Sequence, residues 1–98
     1  MSLRIVFRPV ARIEFEEATT WYDKKRHGLG GEFLREIDAV ILRVAEKPER
    51  FPLILADVRK AVARRFPYSV FFRVRGASLV ILAVFHGRRD PTILRRRA

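Results

Sequence analysis

The residues best suited to chemistry follow an apolar segment near the end of the chain. His86, Arg88 and Arg89 lie close together, directly after the run Leu79–Phe85. A histidine can act as a general acid or base, and arginines can stabilise the negative charge of a pentavalent phosphorane. The pattern is compatible with phosphodiester chemistry. The simpler interpretation is a structural histidine followed by an ordinary turn at Asp90–Pro91.

No motif indicates a metal site or a nucleophilic enzyme. His27 and His86 are far apart, and the chain contains no cysteine, which excludes thiolate ligands and disulfides. Ser69 and Ser78 lie in no recognisable nucleophile motif. We therefore expect neither a metal nor another cofactor.

Positive charge is concentrated in the second half of the chain. The 98 residues carry a formal net charge of +10. Residues 1–50 contain ten Lys and Arg against nine Asp and Glu, whereas residues 51–98 contain eleven against two. Because ten of those eleven are arginine, which pairs with carboxylates and phosphates, this half favours an acidic partner.

The length of the chain suits a single domain, 1–98. No apolar stretch approaches the roughly 20 residues of a membrane span. We therefore expect a cytoplasmic protein.

Two helices are predicted in the first half. After the β-rich run 3–7, a proline at position 9 suits the first turn of a helix that extends to about residue 26. A second helix is predicted from residue 29 or 30 to 47, because its apolar residues repeat at intervals of three and four. The glycines between them allow a tight reversal, so the helices should pack as an antiparallel hairpin.

Glu14 departs from the pattern of the first helix, because it projects into the apolar arc. One interpretation places its carboxylate at the rim of the core, in contact with water. The other is a partly buried carboxylate that holds an arginine from the sheet.

The second half predicts a β-sheet. Strands are expected over Val58–Phe66, Tyr68–Arg75 and Ser78–His86, with Gly76-Ala77 as a two-residue hairpin turn. The third strand is apolar throughout and should be central. The last residues, 92–98, fit either one helical turn or a frayed tail. The sequence therefore predicts an α+β fold, with an N-terminal strand and an antiparallel two-helix hairpin packed on an antiparallel β-sheet of about four strands.

Alternation along the strands assigns the side chains to two faces. The face expected to meet the helices is apolar and carries Tyr68, Val70, Phe72, Val74, Leu79, Ile81, Ala83 and Phe85. The opposite face combines apolar, polar and basic residues: Lys60, Val62, Arg64, Ser69, Phe71, Arg73, Val80, Leu82, Val84 and His86. Such a surface suits an acidic amphipathic helix or a nucleic acid. The alternative is that the chain's own C-terminus covers the apolar residues and the arginines are solvated.

An ordered set of short motifs is similar to a known family. The predicted N-terminal strand is followed by Trp21-Tyr22, Gly28-Leu29-Gly30, Phe33, Pro48-x-x-Phe51-Pro52, Arg64-Arg65-Phe66-Pro67-Tyr68 and His86-x-Arg88-Arg89-x-Pro91. In order and spacing, this set resembles the RelE/ParE toxin superfamily, and in particular its ParE-like plasmid-stabilisation branch. The resemblance extends from Leu3 to about Arg96.

The resemblance implies the toxin of a type II toxin–antitoxin pair. The partner would be a cognate, ParD-like antitoxin whose acidic, amphipathic C-terminal segment wraps the toxin. Its contacts are expected at Lys60, Arg64, Phe71, Arg73, Leu82, His86, Arg88 and Arg89. ParE-like members poison DNA gyrase, whereas RelE-like members cleave messenger RNA on the ribosome.

The residues favour the gyrase poison over the ribonuclease. RelE-like catalysis uses basic residues and a tyrosine near the C-terminus, but the region after Pro91 contains neither tyrosine nor lysine. Arginine stays protonated and is a poor general base, which leaves His86 as the proton acceptor of a set with Arg64, Arg88 and Arg89. We expect a protein-binding toxin without a catalytic centre. RNA cleavage is the alternative, and a nucleic-acid-binding module is a third possibility.

Overall fold

The computed structural model describes residues 3–98. Strand β1 and helices α1 and α2 form the first half, and four further strands, β2 to β5, are followed by a short helix, α3. A 3₁₀ turn follows α2 and another precedes α3. The elements are β1 (Arg4–Phe7), α1 (Pro9–Lys25), α2 (Leu29–Glu46), β2 (Leu53–Leu55), β3 (Val58–Val62), β4 (Tyr68–Arg75), β5 (Ser78–His86) and α3 (Leu94–Arg97). No helix among the described residues is both long and apolar enough to cross a membrane.

The sheet contains five strands in the order β1-β5-β4-β3-β2. Strand β1 pairs parallel to β5, and the other neighbours are antiparallel. The α+β prediction is confirmed, but the count of about four strands missed β2, and β3 ends at Val62 rather than Phe66. The backbone N–H groups of Arg64 and Arg65 explain this end, because both donate to a carboxylate oxygen of Glu36 at 2.7 Å.

The two helices pack closely on one face of the sheet. Gly30 lies at their contact, where a Cβ atom would come within 2.5 Å of the Thr19 carbonyl oxygen. Asp23 fixes the reversal, because its Oδ1 atom accepts hydrogen bonds from the backbone N–H groups of Gly28 and Gly30. Phe33 and Ile37 of α2 are fully buried between α1 and the sheet, as the helical periodicity predicts.

A β-bulge at Leu82 changes the faces of β5. From the turn to Ile81 the pairing matches the prediction, with Phe72 opposite Ile81, but Phe71 is then opposite Ala83. The extra residue reverses the alternation, as a bulge requires. The assignment of Ala83 and Phe85 to the helix-facing side is therefore wrong, and Val84 takes that side instead.

The C-terminal segment covers part of the opposite face. Leu94 of α3 is 1% exposed and packs with Val58, Phe71, Leu82 and Phe85 in a second apolar cluster. The sheet therefore carries a core on each side. Of the two interpretations for residues 92–98, the helical turn is the one observed.

Candidate partner-binding groove

A groove lies on the sheet face opposite the two helices, between β2 and the segment that leads into α3. It is open to solvent, has a volume of about 320 Å³, and is called the partner groove below. Its lining is an apolar floor with a basic rim. The floor includes Leu55, Phe71, Phe85 and Leu94, and the rim carries Lys60, Arg89 and Arg95.

The rim cations lie over aromatic rings of the floor. The Lys60 ammonium is 6.0 Å from the centre of the Phe71 ring, and the Arg89 guanidinium is 5.2 Å from that of Phe85. Both aromatic side chains are held by packing, since Phe71 and Phe85 lie 4.6 Å apart between ring centres. The groove can accept apolar side chains on its floor and carboxylates at its rim.

Arg73 and Leu82 belong to the predicted face but are not accessible on it. Leu82 is fully buried beneath Leu94. Arg73 is 5% exposed, and its guanidinium donates to Asp57 Oδ1 at 2.8 and 3.1 Å and to a main-chain oxygen of Ala98 at 2.9 Å. The prediction that these two residues line an exposed surface is wrong, because the C-terminal segment covers them.

Arg64 and His86 lie on the other side of the sheet. Arg64 is beyond the end of β3 and lines a cleft against α2. The bulge turns His86 toward α1, where its ring lies 5.4 Å from that of Tyr68. The predicted common face is therefore wrong for both residues. Arg88 is exposed in the turn after β5 and does not line the partner groove. Of the predicted residues, the groove brings together Lys60, Phe71 and Arg89.

The hydrogen bonding of His86 bears on its chemistry. Its Nδ1 atom accepts the backbone N–H of Arg88 at 3.0 Å. In the neutral ring, Nε2 then carries the proton and is a donor rather than an acceptor. The arrangement does not present His86 as a general base.

Glu14 organises the wall of the partner groove from the opposite side of β5. Its side chain is 9% exposed, and its carboxylate accepts hydrogen bonds from Arg89 and Arg97 at 2.8 Å. It also accepts the backbone N–H of Val84 at 3.0 Å. Glu14 is thus a buried carboxylate that holds arginines, although these come from the turn and α3 rather than from the sheet.

Two tyrosines, Tyr22 of α1 and Tyr68 of β4, lie close together. Burial raises the pKa of Tyr22, with a further contribution from Tyr68, and burial also raises the pKa of Tyr68. Their rings are 5.9 Å apart and pack with Phe33. These phenols therefore stay neutral at physiological pH, and their rings pack against the core.

Several groove residues were missing from the sequence prediction. Ile54 and Leu55 belong to the unpredicted strand β2, and Phe85 was placed on the wrong face. The apolar run Leu53–Leu55 next to Pro52 was a usable signal for β2. No comparable signal marks the bulge, and the contribution of Arg95 depends on how α3 packs.

Comparison with known proteins places the chain among toxins. The family model for the ParE toxin of the type II toxin–antitoxin system parDE matches residues 5–91. No curated protein matches the chain. A chain of the chromosomal ParDE TA system from P. aeruginosa is similar with a TM-score of 0.76 and 17% identity, over 87% of this chain and 96% of that one.

RelE structures are similar as well. A mutant of the E. coli toxin RelE in the free state gives a TM-score of 0.74 at 17% identity, over 98% of both chains. A chain of the intact E. coli RelBE toxin–antitoxin complex gives 0.69 at 18% identity, over 90% of this chain and 100% of that one. At these identities the structural likeness establishes the shared fold.

Proposed function

Because this chain belongs to the ParE toxin family of type II toxin–antitoxin systems, we propose that it acts by binding and poisoning DNA gyrase. The observation that carries this choice is that the four residues a ribonuclease would need do not form one site: His86 and Arg89 line the same cleft beside α1, where Arg89 is paired with Glu14, but the other two lie elsewhere. Arg64 lines the cleft against α2, His86 lies beside α1, and Arg88 is exposed in the turn. With Nδ1 of His86 occupied, the set offers charge but no oriented base.

The partner groove is the proposed seat of the antitoxin. Its apolar floor and basic rim are complementary to an acidic, amphipathic segment, and the second half of the chain carries eleven basic residues against two acidic ones. Apolar contacts at Ile54, which is 41% exposed, and at the half-buried Leu55 would supply most of the affinity, above a packed floor of Phe71 and Phe85. Lys60 and Arg95 would speed association and select acidic partners.

Gyrase poisoning is tested by adding purified toxin to gyrase with plasmid DNA. Supercoiling should stop, and linear DNA should accumulate after the gyrase is denatured, because a poison traps the cleaved intermediate. Normal supercoiling at a large excess of toxin would contradict the proposal.

Expression of the toxin in a bacterium tests the alternative reaction. If the toxin cleaves messages on ribosomes, RNA ends should appear within minutes of its induction, and His86→Gln should abolish them. Message cleavage without a DNA-damage response would replace the gyrase proposal with the ribonuclease.

The antitoxin contact is tested with the double variant K60E/R95E. We expect this toxin to remain harmful to cells but to escape neutralisation by its cognate antitoxin. The matched variant R4E/R8E makes the same charge change at exposed positions of β1 and the start of α1. Equal neutralisation of both variants would exclude the partner groove as the antitoxin site.

A further inference from the structure

A cluster of arginines lies far from the partner groove, on the helix-bearing side of the sheet. Arg35 and Arg43 of α2 and Arg64 of the β3–β4 turn line one open cleft of about 620 Å³, called the arginine cleft below. We propose that the arginine cleft binds the sugar–phosphate backbone of duplex DNA. This inference goes beyond the proposed function and holds whether or not gyrase is the target.

The acidic residues in the cleft are already occupied. Glu36 accepts the backbone N–H groups of Arg64 and Arg65 at 2.7 Å. Glu32 accepts the guanidinium of Arg65 at 2.8 Å and that of Arg26 at 3.2 Å, and these hydrogen bonds, led by the one from Arg65, lower the pKa of its carboxyl group. Both carboxylates therefore have hydrogen-bond partners within the protein, and these bonds hold the cleft together.

The three remaining guanidiniums are free to bind an anion. The side chains of Arg35, Arg43 and Arg64 are exposed, and none forms a hydrogen bond or ion pair with another of residues 3–98. A guanidinium with unused N–H donors is well suited to a phosphate oxygen, which it can contact through two hydrogen bonds.

The spacing of the cluster suits a rigid duplex. The eight positions from Arg35 to Arg43 correspond to about 12 Å along the axis of α2. Duplex DNA carries one negative charge for about every 1.7 Å of its axis, so about seven phosphates occupy that length. The cations project from a packed helix and from a turn that Glu36 fixes, so binding would order little additional chain.

The lining of the cleft separates DNA from the other candidate partners. Its apolar side chains are the small ones of Ala39 and Val40, and no aromatic residue lines it. An amphipathic protein segment needs an apolar floor, which the partner groove has and this cleft does not. Single-stranded RNA is usually held by stacking of bases on aromatic side chains. Exposed arginines without neighbouring aromatic residues match contacts to the phosphate backbone, which do not depend on base sequence.

The test compares two triple variants of the whole protein for binding to a 20-base-pair duplex, a length of roughly two helical turns. Fluorescence anisotropy is measured between about 50 and 200 mM salt, the range in which phosphate contacts change affinity most visibly. R35Q/R43Q/R64Q removes the cleft cations, and R4Q/R8Q/R96Q removes the same charge at exposed positions elsewhere. Circular dichroism confirms that both variants are folded.

Losing three phosphate contacts should reduce the slope of log affinity against log salt by about 2 to 3, and should weaken binding at least tenfold. The control trio should change the slope by less than about 1. The proposal is overturned if the two trios lower the slope equally, if the unmodified protein does not bind the duplex, or if single-stranded RNA of the same length binds more tightly. The supercoiling assay is independent of this measurement, so failure of one does not imply failure of the other.

Discussion

At the scale of single residues, Glu14 connects more of the molecule than any sequence pattern indicates. It lies on α1, yet its partners are the backbone of β5, Arg89 in the following turn and Arg97 in α3. Arg97 also donates to the carbonyl oxygen of Leu82 at 3.2 Å. Together the two side chains satisfy backbone groups of β5 that lie beyond its pairing with β1, and buried backbone groups need such partners.

Glu14→Gln should lower the free energy of unfolding by about 2–4 kcal/mol, because it leaves Arg97 without its counter-charge in a mostly buried position. Urea denaturation measures this change. Glu17→Gln, at an exposed position on the same helix, is the control and should stay within about 0.5 kcal/mol of the unmodified protein. Equal effects of the two substitutions would show that the Glu14 contacts add no stability.

The two tyrosines predict an alkaline limit to stability. Because burial raises their pKa values in the folded state, the unfolded chain loses these protons first as the pH rises. The stability contribution of the neutral phenols is complete below the unfolded pKa of about 10 and is lost as the pH rises through the folded values. The chain contains only these two tyrosines, so the phenolate absorbance follows both directly. The pH midpoint of the absorbance change should be higher for the folded protein than for the urea-unfolded chain. A folded-state midpoint equal to or below the unfolded one would contradict the raised pKa values.

At the scale of elements, the predictable parts are those that local pattern controls. The turn at Gly76, with a φ of 58°, and the bounds of β4 and β5 follow from a glycine and from apolar runs. The bulge at Leu82 has no such signature, since Leu79–Phe85 is apolar at every position and fits either face. It is stabilised from outside the strand, by Glu14 and Arg97, which alternation within β5 cannot reveal.

The candidate site was predictable to a similar extent and for the same reason. The excess of arginine in the second half and the placement of Lys60 and Phe71 on one face were readable from charge and alternation, whereas their direct pairing was not. The bulge then moved Phe85 into the partner groove and His86 out of it. The burial of Arg73 depends on its tertiary contacts with Asp57 and with Ala98, which alternation along the strands does not reveal.

The α1–α2 contact yields a matched pair of substitutions. Gly30→Ala should destabilise the protein by about 1–3 kcal/mol, because its new Cβ atom would meet backbone of α1 that cannot move away independently. Gly31→Ala adds the same atom one residue later, where the nearest group is the flexible end of Arg35 at 3.4 Å. This control should be neutral or slightly stabilising, since alanine favours the helix. Thermal unfolding of the two proteins provides the comparison, and a Gly30→Ala variant as stable as the control would refute close helix contact.

At the scale of the whole molecule, one sheet separates two cores and two basic surfaces. Helices α1 and α2 cover one face, and Leu94 with the C-terminal segment covers the other. The partner groove lies on the second face, and the arginine cleft lies on the first. An antitoxin segment and a DNA duplex would therefore meet different sides of the protein.

Since both cores share the same strands, we expect residues 1–98 to unfold as one cooperative unit. Trp21, the single tryptophan, reports on the helical hairpin, whereas far-ultraviolet circular dichroism reports on all helices and strands. Their urea transitions should coincide, as two-state unfolding requires. Separate midpoints would mean that the C-terminal segment and the hairpin behave as independent units.

The Glu14–Arg97 pair has a consequence for self-association. Strand β1 pairs with β5 only as far as Ile81, so the rest of β5 presents a margin that another chain's strand could extend. Any such addition must first displace the Glu14 carboxylate and the Arg97 guanidinium from their hydrogen bonds to the backbone of Val84 and Leu82. The pair thereby opposes fibre-like polymerisation through the edge of β5 beyond Ile81. A neutral side chain at position 14 would remove this protection.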